Sequence, residues 1–251
     1  MEPKDRIIVA LDVDTVDKAL ALVRDLAPHV SCFKLGLEFI NSMLVSLILP
    51  KNPEQAEGEL KKIRYLFSLL TDKIFWDGKF ADIPNTVCGA SRAVVALKVK
   101  MFNVHASAGI EAMANAVAAS NHTSLVLAVT VLTSLEENNA HLIFGAPSKA
   151  KVLQLARDAM LTGCDGVVCS PQELELLAKQ RELKNLMKVT PGVRPEWAVA
   201  GDQKRIMTPA EAIKAGATAV VIGRPITQPP PQIGTPVNAV EQIALEISAV
   251  V

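Results

Sequence analysis

Along this chain, short stretches of unbroken apolar residues alternate with longer ones in which apolar residues return every three or four positions. The first kind reads as buried strand, the second as amphipathic helix. Ile7 to Leu11 is continuously apolar and ends at Asp12. Asp14 offers a helix N-cap, Leu20, Val23 and Ala27 share one helical face, and Pro28 stops the helix. Cys32 to Gly36 makes a second strand, interrupted by Lys34. Leu37 to Leu49 has helical spacing up to Pro50, residues 51–58 form a polar linker, and Leu60, Ile63, Phe67 and Leu70 mark another helix. Ile74 to Trp76 is the third strand.

The alternation then repeats. Val87, Ala90, Val94 and Leu97 mark a helix, Met101 to Val104 a strand, Ile110, Met113 and Val117 a helix, and Leu125 to Val129 a strand. Residues 130–147 read as one long loop. Val152, Leu155 and Ala159 mark a helix ending near Gly163, Gly166 to Cys169 a strand, Leu174 to Ala178 a short helix, and Met187 to Thr190 a strand. A loop of glycine, proline and charge runs from Pro191 to Met207, before the capping box Thr208-Pro209-Ala210-Glu211. Ala219 to Ile222 is the last strand, Gln228 to Pro231 a stiff connector, and residues 238–251 the last helix.

Eight buried-type strands separated by helices predict a (β/α)8 TIM barrel with an extra helical segment between strands 2 and 3. The chain reads as a single TIM-barrel domain over 1–251, with the insertion at roughly 50–70. At 251 residues and 50% hydrophobic, one such barrel accounts for the whole length. Charge adds an exclusion: Lys+Arg and Asp+Glu are 26 each and aromatics are sparse, so nothing favours nucleic acid as a partner. No apolar stretch reaches the ~20 residues of a membrane span. Met1 to Asp5 leads directly into the first strand without a signal sequence, so a cytoplasmic, non-membrane protein is expected. Cys32, Cys88, Cys164 and Cys169 lack C-x-x-C spacing and read as reduced structural thiols.

Polar residues fall at the C-terminal ends of the strands, where such barrels carry their active sites: Asp12, Lys34, Asp77, Lys79, His105, Thr133, Cys169, Thr190 and Gly223. The densest group is Asp77-Gly78-Lys79-Phe80-Ala81-Asp82-Ile83-Pro84-Asn85-Thr86. Strand alternation sends Asp77 and Lys79 to one side, Asp82 follows on loop, and Pro84 stiffens the entry to a helix. An exposed loop with an incidental ion pair would carry the same residues. Gly223-Arg224-Pro225 after the last strand has the form of a phosphate grip, with backbone N–H groups beside a guanidinium. The donor-rich 191–207 loop suits a lid over a phosphorylated ligand. His29, His122 and His141 have no metal spacing, and His105 takes a supporting place. Trp76 and Tyr65 pack.

Taken together, these segments resemble the bacterial branch of the orotidine 5′-phosphate decarboxylases along essentially the whole chain. Ala10-Leu11-Asp12, Lys34-Leu35-Gly36, the run from Asp77 to Thr86, Asn103-Val104-His105-Ala106-Ser107 and residues 128–134 carry the resemblance. So do residues 166–170, Thr190-Pro191-Gly192-Val193-Arg194-Pro195, Gly201-Asp202-Gln203-Lys204-Arg205 and Gly223-Arg224-Pro225. Two departures stand out: Gly78 and Ala81 occupy places usually held by bulkier residues, and the stretch 37–72 is longer than is usual there.

The resemblance implies cofactor-free, metal-free loss of CO2 from orotidine 5′-phosphate, giving uridine 5′-phosphate in de novo pyrimidine biosynthesis. It implies that Asp77, Lys79 and Asp82 surround the reacting carbon, with Lys79 as proton donor to C6. Asp12 and Lys34 would bind ribose, Thr133 or Ser134 the pyrimidine edge, and Gln203, Gly223 and Arg224 the phosphate, with Arg194 at its margin. It also implies a homodimer in which Asp82 and Thr86 act across the interface. Two other readings share features of the chain. A sugar-phosphate lyase such as 3-keto-gulonate-6-phosphate decarboxylase or hexulose-phosphate synthase has the same barrel and D-x-K-x-x-D pattern but uses Mg2+. A catalytically silent nucleotide-binding protein would bind without turnover.

Overall fold

In the computed structural model, which describes residues 1–198 and 207–251, the eight apolar runs are strands. They are β1 (Ile7–Ala10), β2 (Cys32–Leu35), β3 (Ile74–Phe80), β4 (Met101–His105), β5 (Leu125–Val129), β6 (Gly166–Val168), β7 (Met187–Pro191) and β8 (Ala219–Ile222). Each pairs in parallel with the next in sequence, and β8 returns to β1 to close the barrel. The molecule is a (β/α)8 TIM barrel.

Helix α1 (Val16–Leu26) follows β1, while α2 (Leu37–Ile48) and α3 (Pro53–Leu69) both lie between β2 and β3, as the sequence predicts. Of this pair α3 is the tighter packed: it lies along α1 and buries Ile63 and Leu66. Asn52 caps it, accepting from the Gln55 N–H at 2.8 Å. By contrast α2 fully buries only Phe39, leaving Leu44, Val45 and Ile48 exposed. Downstream run α4 (Pro84–Val95), α5 (Ile110–Ser120), α6 (Glu137–Phe144), α7 (Ser148–Leu161), α8 (Leu174–Ala178), α9 (Pro209–Lys214), α10 (Arg224–Thr227) and α11 (Pro236–Ser248).

Two local expectations are corrected. The 130–147 stretch is not all loop, because α6 forms inside it. Only Ala140 of α6 is buried, and at eight residues the helix is too short for its apolar spacing to stand out from loop. Thr15, not Asp14, caps α1: its hydroxyl accepts from the Lys18 N–H, and Asp14 instead pairs with the Lys18 ammonium at 2.8 Å. The Gly223-Arg224-Pro225 segment, read as a phosphate grip, opens a one-turn helix, α10.

Strand register separates two buried clusters. Ile8, Cys32, Phe75, Met101, Leu127 and Val189 belong to one, the barrel's interior. The alternate positions, among them Ile7, Val9, Phe33 and Phe102, pack outward against the helices. Burying a side chain of that size contributes about 1.5–3 kcal/mol. Lys34 sits beside Ala10 in register, Asn103 beside Leu127, and Asp77 two residues beyond Phe75, so polar groups occupy the interior face nearest the C-terminal mouth.

Candidate active site

An unbroken alternation of charge crosses that mouth. Lys34, on β2, places Nζ 3.0 Å from Asp12 Oδ1 and 3.2 Å from Asp77 Oδ2. Asp77, on β3, receives Lys79 Nζ on its other oxygen, Oδ1, at 2.8 Å. Two carboxylates and two ammoniums thus form the chain Asp12–Lys34–Asp77–Lys79. Its middle is enclosed and its ends are wetter: Asp77 and Lys34 side chains are 8% and 13% exposed, Lys79 31% and Asp12 52%. Lys34 has little slack. A Cβ added at Gly36 would lie 2.8 Å from its Nζ and 3.1 Å from Asp12 Oδ1.

The Asp77–Lys79 pairing is reached by a different route from simple alternation. Strand β3 runs on through Phe80, but its register against β4 shifts between Trp76 and Phe80. Lys79 adopts a left-handed backbone, φ 48°, a rare conformation for a residue with a side chain. Asn103, 1% exposed on β4, bridges the pair: its Oδ1 accepts from the Lys79 backbone N–H at 2.7 Å, and its Nδ2 donates to Asp77 Oδ1 at 2.6 Å. In the sequence, Asn103 stands out only as part of the Asn103-Val104-His105-Ala106-Ser107 motif. Its signal there was an uncharged polar residue at an inward position of an otherwise apolar strand.

Beside the charge chain lies a cleft of about 400 Å³ whose walls include Asp12, Glu38, Arg194, Gly223 and Arg224. The structure therefore brings the loops after β7 and β8 next to Asp12. Arg194 is anchored through its backbone N–H, which donates to the Met207 carbonyl at 3.1 Å. Gln203 lies outside the described residues, as does the Gly201–Arg205 motif. Thr133 and Ser134 occupy an exposed turn closed by Leu135 N–H to Leu132 C=O, and neither lines the cleft.

Asp82 and Thr86 are exposed. Asp82 Oδ1 accepts from the next residue's N–H, Ile83, at 2.7 Å, and makes no ion pair among the described residues. Ile83 beside it is 67% exposed. His105, at the end of β4, is half-buried; that burial, with Lys79 nearby, holds its imidazole below the usual range and favours the neutral ring. Among the described residues no three His, Cys, Asp or Glu side chains are grouped to hold a metal ion, and no helix is long and apolar enough to cross a membrane.

The architecture and these contacts define a (β/α)8 barrel with an alternating carboxylate–ammonium chain at its C-terminal mouth, beside a cleft walled by two arginines. Comparison with known proteins narrows the class. Residues 5–243 match the Orotidine 5′-phosphate decarboxylase / HUMPS family, and the chain belongs to it. It is 42% identical over 253 residues to the orotidine 5′-phosphate decarboxylase of Gloeothece citriformis, covering 98% of this chain and 99% of that one. With the enzyme of the same name from Syntrophomonas wolfei it is 41% identical, over 98% of this chain and 99% of the other. Among solved structures, orotidine 5′-phosphate decarboxylase from Lactobacillus acidophilus superimposes with a TM-score of 0.73 at 30% identity, covering 97% of this chain and 99% of that chain.

Proposed function

We propose that this protein decarboxylates orotidine 5′-phosphate to uridine 5′-phosphate and CO2, a step of de novo pyrimidine biosynthesis, with Lys79 as the proton donor. The observation that carries the reading is the Asp12–Lys34–Asp77–Lys79 chain at the mouth of a barrel whose relatives bear that name. In the reaction the bond between C6 and the carboxylate carbon breaks, its electron pair stays on C6, and CO2 leaves. An ammonium positioned at C6 stabilises that developing charge and then delivers a proton to it. Solvent later returns a proton to the lysine. Asp77 fixes the direction of Lys79, while Asp12 and Lys34 meet the ribose hydroxyls. Gly223 and Arg224, with Gln203 and with Arg194 at the margin, grip the phosphate, and Thr133 or Ser134 reads the pyrimidine.

Magnitudes decide how the work is shared. One charge pair at 4 Å and an effective dielectric near 20 is worth about 4 kcal/mol, whereas enzymes in general lower barriers by about 8–23 kcal/mol. Lys79 alone falls short. The remainder comes from holding the charges in place beforehand and from binding energy at the distant phosphate and ribose.

Asp82 and Thr86 act in a second copy of the chain, forming a homodimer. Supporting this are the exposure of both residues, the absence of an ion pair to Asp82 among the described residues, and the apolar Ile83 beside it. The second reading, a Mg2+-dependent sugar-phosphate lyase, is favoured by the breadth of the matched family.

Purified protein given orotidine 5′-phosphate in excess EDTA separates the two. Turnover that survives chelation and disappears in Lys79→Ala is expected. No turnover, together with activity on a sugar phosphate once Mg2+ is added, would replace this reading with the second.

A further inference from the structure

Between the ladder pairs Trp76–Phe102 and Phe80–Val104, three residues of β3 (77, 78 and 79) stand against one residue of β4, Asn103. A parallel ladder cannot hold such a stretch with backbone hydrogen bonds alone, because the surplus residues bulge out of register. Asn103 supplies what the ladder loses. Its side-chain Oδ1 accepts from the Lys79 backbone N–H, and its Nδ2 donates to Asp77 Oδ1, the oxygen that also receives Lys79 Nζ. The two bonds fix the amide's orientation, since reversing it would set N–H against N–H and oxygen against carboxylate. At the apex of the bulge stands Gly78, where a Cβ would come within 2.9 Å of both Trp76 Nε1 and Phe80 Cε1. The aromatic side chains thus close the bulge on that side, and Asn103 closes it on the other.

We infer that Asn103 is a positioning residue for the reaction: one buried amide locks the Asp77 carboxylate and the left-handed Lys79 backbone to each other, and thereby aims the Lys79 ammonium. The inference rests on the decarboxylase reading. A carboxamide meets both demands at once, an acceptor for the Lys79 N–H and a donor for Asp77. Aspartate keeps the acceptor for Lys79 but turns a second carboxylate on Asp77, and leucine leaves both partners unmet. Neither change touches the cleft walled by Arg194, Gly223 and Arg224, so nucleotide binding should persist.

The test compares wild type with Asn103→Asp and Asn103→Leu by kcat, KM, calorimetric affinity for uridine 5′-phosphate and thermal melting. Asn103→Asp is isosteric and is the variant to rely on if leucine prevents folding. A misaimed reactive group costs on the order of 100-fold in rate. The expected result is a fall of about that size in kcat for Asn103→Asp, with KM and product affinity near wild type. Near-wild-type kcat in a folded variant would overturn the inference, as would parallel loss of kcat and nucleotide affinity, which marks a general structural role. Should wild type itself fail to decarboxylate, the functional reading fails first. The geometric claim is then judged on a crystal structure of Asn103→Ala, in which Lys79 should leave its left-handed backbone; an unmoved Lys79 refutes it.

Discussion

A methyl group at position 36 would lie 2.8 Å from the Lys34 ammonium nitrogen, too close for both to keep their places. The backbone itself would accept alanine, since Gly36 has φ −88° and ψ 175°. What must yield is the far end of a flexible side chain, which costs little folding free energy but breaks the Asp12–Lys34–Asp77 alignment. Gly36→Ala should therefore melt close to wild type while kcat/KM falls by about 10- to 100-fold. A variant with unchanged kcat/KM would show that Lys34 can work from a second position. Burial also settles the cysteines that are enclosed. It pushes the Cys32 and Cys169 thiols up to about 12 and Cys164 to about 11, which makes them poor nucleophiles and agrees with their reading as reduced structural thiols.

Elements respond to solvent exposure as well as to pattern. The turn that leaves β6 is held by a capping box: the Ser170 hydroxyl accepts from the Gln172 N–H, and the Ser170 N–H donates to Glu173 Oε2 at 2.8 Å. Burial pushes the Glu173 carboxyl up to about 7, against an opposing pull from that hydrogen bond. The folded protein therefore binds more protons than the unfolded chain between pH ~4.5 and ~7, and this group's contribution to stability falls as pH rises through that window. Glu173→Gln keeps an acceptor without the charge. Urea midpoints at pH 5 and pH 8 should lie closer together in that variant than in wild type, and an unaltered difference would rule Glu173 out as the source. Patterning explains what was legible among the elements. The strands are short, continuous and buried, and α3 and α7 carry clear apolar stripes. Helix α6 is only eight residues long, with Leu142 and Ile143 exposed at 81% and 62%, and so short a spacing does not set it apart from loop. The one-turn α10 is too short for periodicity to register.

At the scale of the whole molecule, the residues proposed for the site fall into two groups. Asp12, Lys34, Asp77 and Lys79 meet within one barrel, whereas Asp82 and Thr86 face outward on the loop and helix that follow β3. If the second copy supplies them, damage to Asp77 and damage to Asp82 can be sorted onto different chains. Mixing Asp77→Ala with Asp82→Ala should regenerate activity absent from either alone, because in a hybrid dimer one site receives both intact carboxylates. Confirmed hybrids without recovery would mean that Asp82 serves its own chain.

By itself the sequence determined the barrel and the short list of charged residues at its mouth, because both follow from local rules: apolar period sets element type, and strand ends set the face on which polar residues gather. Tertiary structure decided how those residues meet. The alternating chain joins side chains from three strand ends, the register slip that turns Lys79 toward Asp77 exists only where β3 meets β4, and Asn103 and Gly36 acquire their importance from atoms distant in sequence. Hydrophobic period is a property of neighbouring residues along a chain; hydrogen-bond partners and the room left at a glycine are set by segments that come together only when the barrel closes.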